Sequence, residues 1–172
     1  MNWFLFGYMG SGKSTIGKIL SEKSGKKFVD MDEMIVQMEG MPITDIFKRK
    51  GEPYFRKLET KVLNELNVEE NLIVSTGGGT PCFEGNLEFM NSNGVTIFFN
   101  TLLTDIIDRL KRGKAQRPLI AEKTEEELIE YVNHHLEARM DYYRSAHIII
   151  DYPSRDEPRV SEILEIIENY IK

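Results

Sequence analysis

Apolar residues fall into short unbroken runs separated by longer stretches with helical spacing. The runs Trp3-Phe4-Leu5-Phe6, Phe28-Val29, Leu72-Ile73-Val74, Val95 to Phe99 and Ile148-Ile149-Ile150 predict strands buried on both faces. Between them the spacing predicts helices over 13–24, about 33–39, 44–50, 84–93 and 104–111. A longer helix begins near Glu52, with Pro53 in its first turn and Phe55, Leu58, Val62, Leu63 and Leu66 on one face. Thr124 and Glu127 form a capping box that opens a long helix to about Tyr143. Residues 153–158 read as a loop, and Val160, Ile163, Leu164, Ile167 and Ile171 mark a last amphipathic helix. Strands alternating with helices imply an α/β fold whose parallel sheet is covered on both faces. Ligands in such folds lie outside the carboxyl ends of the strands, so the residues just after each strand take priority.

Composition narrows the function classes. A length of 172 residues suits one domain, residues 1–172. Lys plus Arg is 22 against 28 Asp plus Glu, a net charge of −6, which argues against sequence-independent nucleic-acid binding. The one cysteine, Cys82, allows no internal disulfide and fits a reducing compartment such as the cytoplasm. No apolar run approaches the length of a membrane span, and no basic leader precedes the first strand, so neither membrane insertion nor a signal peptide is expected.

The most informative stretch is Gly7-Tyr-Met-Gly-Ser-Gly-Lys-Ser-Thr15, in which Gly7, Gly12, Lys13 and Ser14 fill the pattern G-x-x-x-x-G-K-[ST] between a strand and a helix. Such a loop turns backbone N–H groups of Gly10, Ser11, Gly12 and Thr15 toward a phosphate, at a helix start that already favours anions. Lys13 is placed to reach the β- and γ-phosphates of ATP, and the Ser14 hydroxyl to meet Mg²⁺. A glycine-rich turn without a ligand is the plain alternative.

Other positions carry chemistry in outline. Asp30 and Asp32 end the second strand: extended, they point opposite ways; bent, both face the cleft, one for a metal and the other for an acceptor hydroxyl. A helix N-cap followed by a first-turn acid is the structural alternative. Arg56 and Glu59 lie one helical turn apart and read as a surface salt bridge. Arg139 shares a helical stripe with Val132, Leu136 and Tyr143, where a guanidinium needs an anionic partner or must snorkel outward. Gly77-Gly78-Gly79 implies a sharp turn or the close approach of a ligand. Arg109, Lys111, Arg112, Lys114 and Arg117 lead into an aperiodic stretch that reads as a basic mobile lid or as a solvated loop. Cys82 reads as a packed thiol, the methionines from Met31 to Met41 as packing, and the adjacent His134 and His135 as surface residues.

Together these motifs resemble the shikimate kinase family, within the nucleoside-monophosphate-kinase-like branch of phosphate-loop proteins. The resemblance runs through Gly7 to Thr15, Asp30-Met31-Asp32, Gly51-Glu52 with Phe55-Arg56 and Glu59, Ser75-Thr76-Gly77-Gly78-Gly79, Arg117-Pro118-Leu119, and Arg139 with Tyr143. It implies a three-layer P-loop kinase fold with a central five-stranded parallel sheet and a mobile lid over about 112–123. It also implies a substrate-binding helical region over about 32–60. The implied reaction is ATP-dependent phosphorylation of the shikimate 3-hydroxyl in aromatic amino-acid biosynthesis, with Mg²⁺, by a cytoplasmic monomer that binds neither nucleic acid nor membrane. Carried over residue by residue, Lys13 and Ser14 serve phosphate and metal, and Asp30 sits near the metal through water. Asp32 holds the acceptor hydroxyl, either as its base or only to orient it. Arg56, Arg139 and the backbone of Gly77, Gly78 and Gly79 hold the substrate. Arg117 swings in with the lid. Adenine is flanked by Arg109 or Arg112 on one side and Arg155 on the other. Ser75 stands where many phosphate-loop enzymes have a metal-binding acid, so more of the metal duty falls to Asp30. A gluconate-type kinase of the same branch, or a non-catalytic nucleotide-binding module, are the competing readings.

Overall fold

Strand β1 (Asn2–Phe6) is buried at every position and lies at the centre of the sheet. The computed structural model describes residues 1–66, 69–113, 120, 122–153 and 156–172. In chain order β1 is followed by α1 (Lys13–Ser24), β2 (Lys27–Asp30), α2 (Met31–Glu39), α3 (Ile43–Lys50) and α4 (Glu52–Leu66). Then come β3 (Leu72–Ser75), a 3-10 turn (Thr80–Cys82), α5 (Asn86–Asn93), β4 (Gly94–Asn100) and α6 (Leu103–Arg112). The chain ends with α7 (Glu125–Arg144), β5 (Ile148–Asp151) and α8 (Glu157–Ile171). The five strands are parallel in the order β2-β3-β1-β4-β5. Connections run outward to β2, return beside β1, then cross to β4 and β5. They therefore diverge at the carboxyl end of β1, where a crevice opens.

Side chains alternate across β1 and so feed two separate cores. Trp3 and Leu5 pack with Ile16 and Leu20 of α1 and Val160, Ile163 and Ile167 of α8. Phe4 and Phe6 pack on the other face with Val62 and Leu63 of α4, Ile106 of α6, and Val132 and Tyr143 of α7. The result is the helix–sheet–helix layering implied by the alternating pattern, in a three-layer P-loop fold.

The elements depart from the sequence reading mainly at their ends. Helix α2 begins at Met31 rather than about residue 33, because Asp30 Oδ1 accepts from Asp32 N at 3.0 Å and Glu33 N at 3.4 Å. Residues 80–82 form a separate turn, and α5 starts at Asn86 behind Gly85, which is left-handed at φ 74°. The last helix starts at Glu157, inside the expected loop. The capping box is formed: Glu127 N donates to Thr124 Oγ1 at 3.2 Å, and Thr124 N to Glu127 Oε2 at 2.7 Å. Most of the expected lid, residues 114–119 and 121, lies outside the described residues.

Gly17 is where α1 touches the sheet. A Cβ there would stand 2.6 Å from Phe28 Cε2 and 2.9 Å from Leu5 Cδ1. Gly17→Val is expected to lower unfolding free energy by about 1–3 kcal/mol through overpacking. Urea unfolding checks this, and an unchanged midpoint would show that the two side chains yield freely.

Candidate active site

The segment after β1 curls because glycines occupy the positions that need it. Gly10 and Gly12 are left-handed, at φ 85° and 92°, a conformation that side chains disfavour. Gly12 caps α1 without any side-chain acceptor, so the amino end of that helix faces the crevice with its N–H groups available to an anion. The loop is held from behind. Thr101 Oγ1 donates to Ser11 O at 3.1 Å, and Arg109 Nη1 to Gly10 O at 2.9 Å. Of the two arginines expected near adenine, Arg109 thus stands against the phosphate loop, while Arg112 is exposed.

Three oxygens meet beside the loop. Ser14 Oγ donates to Asp30 Oδ2 at 2.7 Å and lies 3.0 Å from Ser75 Oγ. The Asp30 carboxylate therefore does two jobs: Oδ1 caps α2 and Oδ2 holds Ser14. The N-cap reading of this residue is realised, and its second oxygen lies at the Ser14 hydroxyl. Hard oxygen donors in such a cluster fit Mg²⁺.

The bend at Asp30 turns Asp32 into a cavity of about 620 Å³ that also takes in Lys13, Arg56, Arg139, Phe47 and Phe55. Burial pushes the Asp32 carboxyl up to about 6; the charge of Lys13 draws it down, Asp30 and Glu59 push it up, and Arg56 draws it down.

The Arg56–Glu59 pair corrects the surface salt-bridge reading. Glu59 is fully buried and the Arg56 side chain is 12% exposed. Arg56 Nη1 donates to Glu59 Oε2 at 2.6 Å and Nη2 to Glu52 Oε1 at 2.8 Å. Glu59 Oε1 accepts from Thr80 Oγ1 at 2.6 Å. Arg139 is also buried, so it does not snorkel; its guanidinium lies over the Tyr8 ring, 5.7 Å from the centroid.

Gly77, Gly78 and Gly79 are not left-handed. They are glycines because other groups fill the places of their side chains. A Cβ on Gly77 would overlap Glu59 Oε1, and one on Gly79 would overlap the Arg56 guanidinium. One on Gly78 would stand 3.0 Å from Gly7 O and 3.4 Å from Arg139 Nη1. Tyr143 Oη donates to Gly78 O at 2.6 Å and ties α7 to this turn. The close approach inferred from the triple glycine is thus made by the chain's own site residues.

One residue of the site was missed by sequence. His134 is exposed, as expected, but His135 is half-buried between Tyr8, Tyr131 and Arg139. The available signal was its place four residues before Arg139, one helical turn away. Cys82 is half-buried, and burial pushes its thiol up, as fits a packed residue. Met31 is buried in the core, with Met34 and Met41 packed against it. Arg117 and Arg155 lie outside the described residues.

A parallel sheet of this order, a glycine-rich loop opening its first helix and an acid-bearing cavity beside that loop define a phosphate-loop kinase. A family model described as "Shikimate kinase" matches residues 9–168. The chain belongs to the shikimate kinase family. It is 43% identical over 171 residues to a shikimate kinase of Sulfurihydrogenibium sp. (strain YO3AOP1), covering 99% of this chain and 98% of that one. The crystal structure of shikimate kinase from Bacteroides thetaiotaomicron superposes with a TM-score of 0.91 at 35% identity, covering 99% and 98% of the two chains. Shikimate kinase from Acinetobacter baumannii, solved in complex with shikimate, gives 0.87 at 33% identity over 99% and 95%.

The raised Asp32 pKa has a consequence for stability. Its folded-state value lies above the ordinary one, so the carboxyl favours the fold below pH about 4 and loses that contribution as pH rises through about 6. Asp32→Asn should therefore stabilise the ligand-free protein by about 1–3 kcal/mol at pH 8, with the gain vanishing below pH about 4. Denaturant titrations across this range check it; a pH-independent difference would mean that Asp32 is not raised.

Proposed function

We propose that this chain transfers the γ-phosphoryl group of ATP to the 3-hydroxyl of shikimate, giving shikimate 3-phosphate and ADP in the pathway to aromatic amino acids. The observation that carries this reading is the cavity itself, where half-buried Arg56 and buried Arg139 stand against a glycine turn and Asp32 shares the lining with the phosphate loop. A small hydroxylated carboxylate matches that arrangement: guanidinium groups for the carboxylate, a carboxylate for the hydroxyl.

The backbone N–H groups of Gly10, Ser11, Gly12 and Thr15, with Lys13, hold the β- and γ-phosphates. Ser14 and Asp30 would hold Mg²⁺, and the Ser75 hydroxyl stands beside them. When bound, the ion neutralises phosphate charge. Arg56 and Arg139 take the substrate carboxylate, and the Gly77–Gly79 backbone packs against the ring. Asp32 accepts the hydrogen bond of the acceptor hydroxyl and receives its proton; a pKa of about 6 leaves it ionised and basic at neutral pH. Arg117 supplies positive charge to the transferring phosphoryl group. Arg109 and Arg155 flank adenine. The region over about 32–60 forms the acceptor side of a single domain, working as a monomer in the cytoplasm. Among the described residues no helix is long and apolar enough to cross a membrane.

The test is ADP release with ATP, Mg²⁺ and shikimate, with gluconate and nucleoside monophosphates as parallel acceptors. Shikimate-dependent turnover, abolished in Lys13→Ala, is expected. Turnover with another acceptor only would assign Arg56 and Arg139 to a different anion, and nucleotide binding without any turnover would favour a non-catalytic module. Asp32→Asn should lower kcat about 10²- to 10⁴-fold while leaving ATP binding nearly intact. Near-normal turnover would remove Asp32 from catalysis. Arg139→Ala should raise the shikimate KM about 10- to 100-fold and the ATP KM far less.

A further inference from the structure

His135 bridges the phosphate loop and the buried arginine of α7. Its Nε2 lies 2.8 Å from Arg139 Nη2, and its Nδ1 lies 3.2 Å from Tyr8 Oη. The imidazole stands edge-on to the Tyr8 ring at 5.9 Å and tilts against Tyr131 at 5.0 Å. A guanidinium offers donors only, so Nε2 must be unprotonated to receive one. A neutral imidazole with a bare Nε2 carries its proton on Nδ1, which donates to the Tyr8 hydroxyl oxygen.

The surroundings support that protonation state. Burial pushes His135 down to about 4, and the charge of Arg139 pushes the same way. Glu52 opposes the shift, while Arg56 and His134 reinforce it. Burial also pushes the Tyr8 phenol up, so it stays protonated.

We propose that His135 is a positioning residue for substrate binding: a neutral imidazole, braced by Tyr8, that engages one edge of the Arg139 guanidinium and aims the rest at the substrate carboxylate. This rests on the assignment of Arg139 to that carboxylate made above. A free arginine side chain loses much rotamer freedom when it binds an anion. Here Nη2 is already fixed by His135, the guanidinium plane is fixed over Tyr8, and Nη1 faces the Gly78 turn inside the cavity. Much of that ordering is therefore in place before substrate arrives. The Tyr8 end of the bridge belongs to the same loop that receives the nucleotide, so the acceptor-side arginine is set relative to the phosphate donor.

Steady-state kinetics on the full chain test this, comparing wild type, His135→Leu and His135→Gln. The glutamine Oε1 can accept at the place of Nε2, whereas leucine cannot. His135→Leu is expected to raise the shikimate KM about tenfold with the ATP KM within about twofold. His135→Gln should recover most of that loss. An unchanged shikimate KM in His135→Leu overturns the proposal, as does a raised ATP KM alone, or a folded His135→Gln as impaired as His135→Leu. Should His135→Leu fail to fold, ¹⁵N–¹H correlation of the wild-type imidazoles at pH 7 decides. A neutral ring protonated on Nδ1 supports the bridge, and protonation on Nε2 or an imidazolium overturns it. Wild type without shikimate turnover would refute the substrate assignment instead, and the tautomer would still judge the His135–Arg139 bond by itself.

Discussion

A fully buried carboxylate must be matched on every side, and Glu59 sets that condition for the cleft. One oxygen receives Arg56 of its own helix, and the other receives Thr80 across the turn that follows β3. The pair contributes little to stability that apolar side chains of similar volume could not, because desolvating two charges offsets most of their attraction. Its effect is geometric. It locks α4 to the carboxyl end of the sheet and leaves the Arg56 guanidinium beside Gly79 at the cavity wall. Its charge also reaches Asp32 and helps keep that carboxyl less acidic than an ordinary aspartate.

The two arginines of the cavity are held by different means. Arg56 is fixed by carboxylates, Glu52 and Glu59, which keep it charged and immobile. Arg139 is held by the Tyr8 face and the His135 imidazole, neither of which carries the opposite charge. Arg139 thus brings positive charge to the cavity from α7, and Asp32 brings an acid to the same lining. That asymmetry gives a small anion a preferred orientation.

Much of this architecture was legible in the sequence, for identifiable reasons. The inner strands β1, β3 and β4 are buried on both faces and so read as unbroken apolar runs, whereas the edge strands β2 and β5 are partly exposed, Ile149 among them. The capping box at Thr124 and the loop from Gly7 to Thr15 are local patterns whose geometry follows from residue type. The order of the strands is a long-range property that no local pattern encodes. The burial of Arg56 and Glu59 was missed because one-turn spacing is the same for a surface pair and a buried one; what differs is Thr80 and the glycines, which come from another element. His134 and His135 illustrate the same limit. Neighbouring helical positions point about 100° apart, so one faces solvent and the other the core, and composition alone treats them alike. The ambiguity at Asp30 and Asp32 was resolved by a helix start that depends on Asp30 itself, whose two oxygens act in different directions.

The three glycines at 77–79 differ from those of the phosphate loop in what they restrict. Each leaves room for a different neighbour: Glu59, the backbone of Gly7 with Arg139, and Arg56. A methyl group gained at Gly77 or Gly79 would press on the charged end of Glu59 or Arg56, each already committed to another contact, and one at Gly78 would press on the backbone of the phosphate loop. A side chain at this turn therefore disturbs the substrate-side arginines and the phosphate loop together, through three different neighbours. The turn works as a keystone, held by steric crowding between separate parts of the chain.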